Sequence, residues 1–107
     1  GPRYTYECIL FANKGDKQTV KVASDIIRIA PDSQILHGAQ KPVALYIDLI
    51  ERSCLAGDRI FDPFGGSGTV LSAATATRTI ATMFELEKQN YDIALARLND
   101  TVEEIIL

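Results

Sequence analysis

Asp62 is followed by Pro63 and Phe64 and then by Gly65-Gly66-Ser67-Gly68-Thr69, a glycine-rich run of the kind that receives ligands. Glycines let a backbone turn sharply and leave no Cβ to hold a ligand away. Where such a run leaves a strand and opens a helix, the amides of the first helical turn can hold a carboxylate, with a dipole contribution of roughly 0.3–1 kcal/mol. The chemistry on offer is reception of a nucleotide-like ligand at the carboxyl edge of a parallel sheet. Glu85 comes 19 positions after Gly66, at the end of the next apolar run. A carboxylate there can accept both hydroxyl protons of a ribose; the alternative is an exposed acid that opens a helix. No Lys follows the glycines, so the phosphate-cradling P-loop pattern is not met. The Asp62-Pro63-Phe64 opening also departs from the plain G-x-G-x-x-G of dinucleotide folds and puts an aromatic ring where an apolar ligand segment can lie.

The elements around this run are those that would position it. After Pro42, residues Val43, Tyr46, Ile47, Ile50 and Cys54 recur at helical spacing with Asp48, Glu51 and Arg52 opposite, which predicts an amphipathic helix started by proline and stopped near Gly57. Asp58 to Asp62 reads as a short strand and Val70 to Ala76 as the helix leaving the loop. Thr79 to Phe84 is apolar and β-branched, as expected of a parallel strand covered on both faces. Tyr91, Ala94, Leu95 and Leu98 then form one face of a last helix with Arg97 on its flank, and Thr101 to Leu107 either extends that helix or frays. Upstream, Tyr4 to Ala12 predicts a strand leaving through the turn Asn13-Lys14-Gly15-Asp16. Val20 to Val22 or Ile26 to Ile29 offers a second strand, although helix and strand are hard to separate there because Val20, Val22, Ile27 and Ile29 alternate while Asp25-Ile26-Ile27 does not, before Pro31-Asp32-Ser33 breaks any regular element. From Pro42 onward the order is helix, strand, glycine loop, helix, strand, helix, a βαβ unit with a helix in front.

The 107 residues have room for one domain, which at this length buries roughly 65% of the surface its unfolded form exposes. A hydrophobic fraction of 47% spread along the chain predicts a folded core rather than a linker or disordered segment. The formal net charge of -3 gives no overall electrostatic footprint for gripping a phosphate backbone. Cys8 and Cys54 match no metal-ligand spacing and are expected to be buried free thiols. No signal peptide and no membrane-spanning run is legible, which together with free thiols fits a reducing cytosol. Gly1-Pro2 reads as the scar of a cleaved expression tag, leaving residues 3–107 as one domain excised from something longer.

The string Gln40-Lys41-Pro42, Gly57-Asp58, Asp62-Pro63-Phe64-Gly65-Gly66-Ser67-Gly68-Thr69, Glu85, Tyr91 and Ala96-Arg97-Leu98 resembles the C-terminal half of the N4-cytosine/N6-adenine, or amino-group, DNA methyltransferases. Tyr6 to Gly15 resembles the strand that precedes this region in that family, so the likeness runs from about Tyr4 to Leu98. The resemblance implies an α/β fold class, a partial Rossmann-like S-adenosylmethionine-dependent methyltransferase fold with a parallel βαβ unit, a preceding helix and N-terminal strands. It implies that Asp62, Pro63, Phe64, Gly65, Gly66, Ser67, Gly68 and Thr69 wrap the methionine end of S-adenosylmethionine and that Glu85 binds its ribose. Lys41 and Pro42 match the stretch that closes over the cofactor, where Lys41 pairs with the cofactor carboxylate or is a solvated residue before a helix. His37 stands where the family often has a His; without a readable carboxylate or serine partner it is read as loop support ahead of catalysis.

Enzymes of this kind hold the target amine with an Asp/Asn/Ser-Pro-Pro-aromatic tetrapeptide, because an sp² amine is a poor nucleophile until acceptors draw on its protons and a ring stacks the flipped base. The four prolines, Pro2, Pro31, Pro42 and Pro63, never adjoin. The expectation is therefore a cofactor-binding part of an adenine-N6 or cytosine-N4 DNA methyltransferase of a prokaryotic or phage-infected cytoplasm, in restriction-modification or a related setting. It would carry no catalytic and no metal-binding residue of its own, would reach DNA through regions outside this chain, and would be inactive alone. Thr77-Arg78 and Met83-Phe84 depart from the family's Gly-Arg and small residue, predicting a bulkier wall near the adenosine. The alternative reading is a non-catalytic methyltransferase-like interaction or dimerisation module, since half of a doubly wound sheet leaves open edges that pair with a homo-oligomer partner or a complementary catalytic half. A dinucleotide-binding fragment is disfavoured by the Asp-Pro-Phe opening.

Overall fold

The computed structural model describes residues 7–16, 19–21, 23–30 and 40–106, with side chains as far as residue 99. Pro42 stands at the N-cap of helix α1 (Val43–Ser53), with φ -61° and ψ 139°, one position earlier than the first-turn place its ring would suit. Its carbonyl accepts the Leu45 N–H at 3.1 Å. Arg52 and Asp48 pair at 2.8 Å one turn apart, a contact worth about 0.3–0.5 kcal/mol. The helix ends where the Cys54 N–H reaches the Ile50 carbonyl at 2.8 Å. A turn closed by the Asp58 N–H on the Leu55 carbonyl (3.0 Å) and by the Leu55 N–H on the Asp58 carboxylate (2.8 Å) then reverses the chain through Gly57, at φ 89°.

Strand β1 (Arg59–Asp62) leads through the glycine loop into helix α2 (Thr69–Thr77), and β2 (Ile80–Met83) returns parallel to β1 with Arg59 opposite Ile80 and Asp62 opposite Met83. Helix α2 ends in an αL residue, Arg78 at φ 57°, and the Thr79 N–H reaches back to the Ala74 carbonyl at 3.0 Å. Such a terminus satisfies late carbonyls of the helix, although a residue with a Cβ there costs about 1–2 kcal/mol. Helix α3 (Lys88–Ile106) follows and includes most of the tail, so residues 101–106 extend it.

The core is built around α2, which packs on α1, β2 and α3. Among the described residues its apolar members are Ile50, Val70, Ala73, Ala74 and Ala94, four of them on α2 or facing it across short side chains. Small residues set these distances. A Cβ on Gly68, at φ +89°, would stand 2.9 Å from the Ala94 Cβ and 3.1 Å from its Cα. This approach also sets the rotation of α3: Asn90 and Ala94 turn inward, while Tyr91 and Leu95, expected on the buried face, are 50% and 42% exposed.

Four further expectations are corrected. The strand expected at 4–12 is not formed over its described part, 7–12, where Ile9, Leu10 and Phe11 are exposed. Neither 20–21 nor 26–29 is a strand. A strand's composition does not supply a ladder partner; this segment is tied instead to the end of α1, with the Val20 and Lys21 N–H groups on the Arg52 carbonyl (2.7 and 3.3 Å) and Arg52 Nη1 on the Ser24 carbonyl (2.6 Å). β2 is not covered on both faces: Ile80 and Phe84 are exposed, and Phe84 meets the exposed Phe61 edge-on at 5.3 Å. Both cysteines are free, but Cys8 is exposed and Cys54 half-buried. His37, Gly1-Pro2 and Pro31-Asp32-Ser33 lie outside the described residues.

Gly68→Ala is expected to destabilise the fold by about 2–4 kcal/mol, through the left-handed backbone and overpacking against Ala94 together. Gly57→Ala, with the same φ but nothing within 4 Å of its Cβ, should cost only about 1 kcal/mol. Urea unfolding of the two variants measures the difference, and equal losses would remove the packing argument.

Candidate functional site

At the carboxyl end of β1 the Asp62 carboxylate turns back to accept the Phe64 N–H at 3.0 Å, while the Asp62 carbonyl accepts the Phe84 N–H at 3.0 Å. The loop is then drawn onto the segment after β2. The Gly65 N–H donates to the Phe84 carbonyl at 2.8 Å, and the Gly66 N–H donates to Glu85 Oε1 at 2.9 Å. Gly66 and Gly68 both have positive φ, 58° and 89°. Gly65 faces Met83, whose Sδ would lie 2.6 Å from any Cβ placed there. The other Glu85 oxygen accepts the Glu87 N–H at 2.9 Å.

Two hydroxyls of the loop fasten the segment that precedes α1. Ser67 Oγ donates to Gln40 Oε1 at 3.0 Å and Thr69 Oγ1 donates to the Lys41 carbonyl at 3.3 Å. Between the loop, this segment and the start of α3 lies a cavity of about 360 Å³, within the ~300–1,000 Å³ usual for small-molecule sites. Of the residues expected at the site, Lys41, Phe64, Gly65, Gly66, Ser67, Thr69 and Glu85 line it. Pro42, Asp62, Pro63 and Gly68 do not: Pro42 caps α1, Asp62 fixes the turn into the loop, Pro63 begins that turn, and Gly68 faces Ala94. Met83 and Phe84 are also absent from the wall, so the bulk expected near the ligand points elsewhere.

Gln40, Tyr46, Glu87 and Asn90 line the cavity and were not singled out as site residues by sequence. Asn90 is 8% exposed with its Nδ2 donating to Glu87 Oε2 at 3.2 Å. By spacing it reads as an ordinary surface position beside the face of Tyr91, Ala94, Leu95 and Leu98, so no sequence signal marked it. Tyr46 looks, by spacing, like a core position of α1; its hydroxyl pKa is raised above the ordinary 10.0, first by burial and then by the negative charge of Asp62. Lys41 Nζ is held by both oxygens of Glu7, at 3.1 and 2.9 Å. Among the described residues no cluster of His, Cys, Asp and Glu could hold a metal ion, and no helix is long and apolar enough to cross a membrane.

A parallel strand-helix-strand unit with a glycine loop and a carboxylate at the carboxyl ends of its strands defines the class: a nucleotide-type ligand-binding unit of α/β proteins. The model of the N6/N4 DNA methylase family matches residues 1–96, and the chain belongs to that family. No curated protein sequence matches it. Among solved structures it is similar to M1.HpyAVI in complex with S-adenosylmethionine, with a TM-score of 0.65 and 26% identity over 77% of this chain and 45% of that one. It is also similar to TTHA0409 of Thermus thermophilus complexed with S-adenosyl-L-methionine, with a TM-score of 0.53 and 32% identity over 56% of this chain and 25% of that one. The chain therefore spans less than half the length of these proteins.

The raised Tyr46 pKa has a signed consequence. The folded state holds the phenolic proton more tightly than the unfolded one, so this contribution to stability is present below pH 10.0 and is lost as pH rises through the higher folded value. Wild-type stability should thus fall more steeply than that of Tyr46→Phe above pH ~10, as measured by denaturant unfolding across pH ~8–11; parallel curves would remove the assignment.

Proposed function

We propose that this chain is the S-adenosylmethionine-binding part of a DNA methyltransferase acting on the exocyclic amine of adenine or cytosine. The observation that carries the reading is the Glu85 carboxylate, tied to the Gly66 amide at the rim of a cavity of ligand size. The residues present fit the cofactor's chemistry. A carboxylate can accept from several donors at once, which suits Glu85 to a ribose diol. Gly65 and Gly66 bring bare backbone to the wall, Phe64 offers an aromatic face, and Lys41 a cation for a ligand carboxylate. When bound, S-adenosylmethionine supplies an electrophilic methyl group. The role of this chain is to bind and orient the donor and to shield it from water. Asp62, Pro63, Gly68, Thr69 and Pro42 act by fixing the shape of the loop and of the strap across it, with Thr69 also on the wall.

Holding the target base falls to regions outside this chain, since its four prolines never form the Pro-Pro-aromatic element that such chemistry needs. The same regions would grip DNA, as a net charge of -3 does not. The setting we infer is the cytoplasm of a prokaryotic or phage-infected cell. The open sheet face of Phe61, Ile80 and Phe84 favours a second reading, an interaction or dimerisation module that keeps the fold without the chemistry.

Calorimetric titration separates the two. S-adenosylmethionine and S-adenosylhomocysteine should bind and NAD should not, whereas no binding of any of them favours the interaction module. Glu85→Ala should weaken binding at least ~10-fold, the usual scale for a lost charge-assisted hydrogen bond; unchanged affinity would sink the ribose role. Incubated with DNA and labelled S-adenosylmethionine, the chain alone should transfer no methyl group, and any transfer to DNA above background would show that the base-holding machinery is present after all.

A further inference from the structure

Arg97 is no part of the cavity wall, yet from α3 it grips the glycine loop from behind. Its Nη1 donates to the Ser67 carbonyl at 2.8 Å and to Ser67 Oγ at 3.3 Å, and its Nη2 donates to Ser72 Oγ at 3.2 Å. Ser67 is 2% exposed, so these are shielded contacts. A hydroxyl has one proton to give and two lone pairs to fill. With Arg97 on the acceptor side, the Ser67 proton is left for Gln40 Oε1, at 3.0 Å. Ser67 and Gln40 both line the cavity, from segments 27 residues apart.

We infer that Arg97 is a positioning residue of the ligand site: by fixing the Ser67 carbonyl and hydroxyl from behind, it aims the hydroxyl at Gln40 and holds the two walls of the cavity together. The inference rests on the function proposed above. The close approach of Ala94 to Gly68, one turn earlier on α3, is what brings the guanidinium within reach. The planar fork of Arg spans Ser67 and Ser72 at once; the single ammonium of Lys reaches one of them. Arg97 touches no ligand, and its effect passes through Ser67.

The test is calorimetric titration of S-adenosylmethionine into the wild-type chain, Arg97→Met, Arg97→Lys and the control Ser72→Ala, each well below its Tm. Arg97→Met should raise Kd roughly tenfold and Arg97→Lys by less, a partial rescue, while Ser72→Ala keeps the wild-type Kd although it loses one Arg97 bond. Adding Gln40→Ala to Arg97→Met should weaken binding little further, because the two act through one hydroxyl. An unchanged Kd in Arg97→Met, or an equal loss in Ser72→Ala, overturns the inference; should Arg97→Met not fold, Arg97→Lys against Ser72→Ala decides it by the same criterion. If the wild-type chain binds no S-adenosylmethionine, it is the proposed function that fails. The positioning role is then read in the ligand-free protein, where Arg97→Lys must shift the side-chain amide resonances of Gln40, and unmoved resonances overturn it.

Discussion

The ligand end of the molecule hangs on one carboxylate. Glu85 takes the Gly66 N–H on one oxygen and the Glu87 N–H on the other, both at 2.9 Å, and so ties the loop after β1 to the chain after β2. The two strands pair over only four residues each, and beyond them the backbone of Gly66, at φ 58°, gives its amide to Glu85. A charge-assisted bond to a backbone amide is worth roughly 1.5–3 kcal/mol, and a shielded amide left without an acceptor costs about 1–3 kcal/mol. The acid therefore shapes the loop before any ligand arrives. Preorganisation of this kind lowers the ordering cost that binding would otherwise carry.

What surrounds that bond is slight. The apolar core of Ile50, Val70, Ala73, Ala74 and Ala94 is dominated by side chains of one or three carbons, whereas Phe61, Phe64, Phe84, Ile80 and Leu86 all remain exposed. Parallel sheets are ordinarily covered on both faces; here α2 lies against β2 and the face bearing Phe61 and Ile80 stays open among the described residues. Ala94 has a purpose that a larger side chain would defeat, since it lets α3 close on Gly68 so tightly that a Cβ on that glycine would stand 2.9 Å from the alanine's own. The fold gives up apolar burial at its centre in order to bring backbone, Arg97 and loop together.

The elements from α1 onward were legible because each carries a local signal: helical spacing after Pro42, a glycine run that can only be a turn, and an Ala-rich stretch behind it. Both strands and α2 agree with expectation to within a residue at each end, whereas α1 ends at Ser53 rather than near Gly57 and α3 begins at Lys88, ahead of the face read from Tyr91. The site was legible in part for the same reason, as Phe64 to Ser67, Thr69 and Glu85 sit on the wall. What could not be read was everything set by juxtaposition. Tyr46 has the spacing of a core residue and Asn90 that of any helix surface, and only the rotation of α3 dictated by Gly68 and Ala94 brings Asn90 to the cavity. The N-terminal strand failed for the converse reason: residues 7–12 have the composition of a strand and no ladder to join among the described residues. Composition speaks of what a segment can do, and pairing decides whether it does.

The charge around the cavity bears on which ligand the site suits. Glu85 and Glu87 put two carboxylates on the wall, and the cation there, Lys41, is already balanced by Glu7. A pyrophosphate would meet this wall with like charge, at an effective dielectric where a close pair of unit charges is worth a few kcal/mol. A ligand bearing a sulfonium and an ammonium meets it with opposite charge. Its single carboxylate needs one donor, and the Lys41–Glu7 pair can release one cheaply: its side chains are 42% and 73% exposed, and a surface pair of that kind contributes only ~0–1 kcal/mol. Lys41 is thus parked rather than committed, and under the proposed function exchanging Glu7 for a ligand carboxylate would cost little while leaving the acidic wall to the positive end of the ligand.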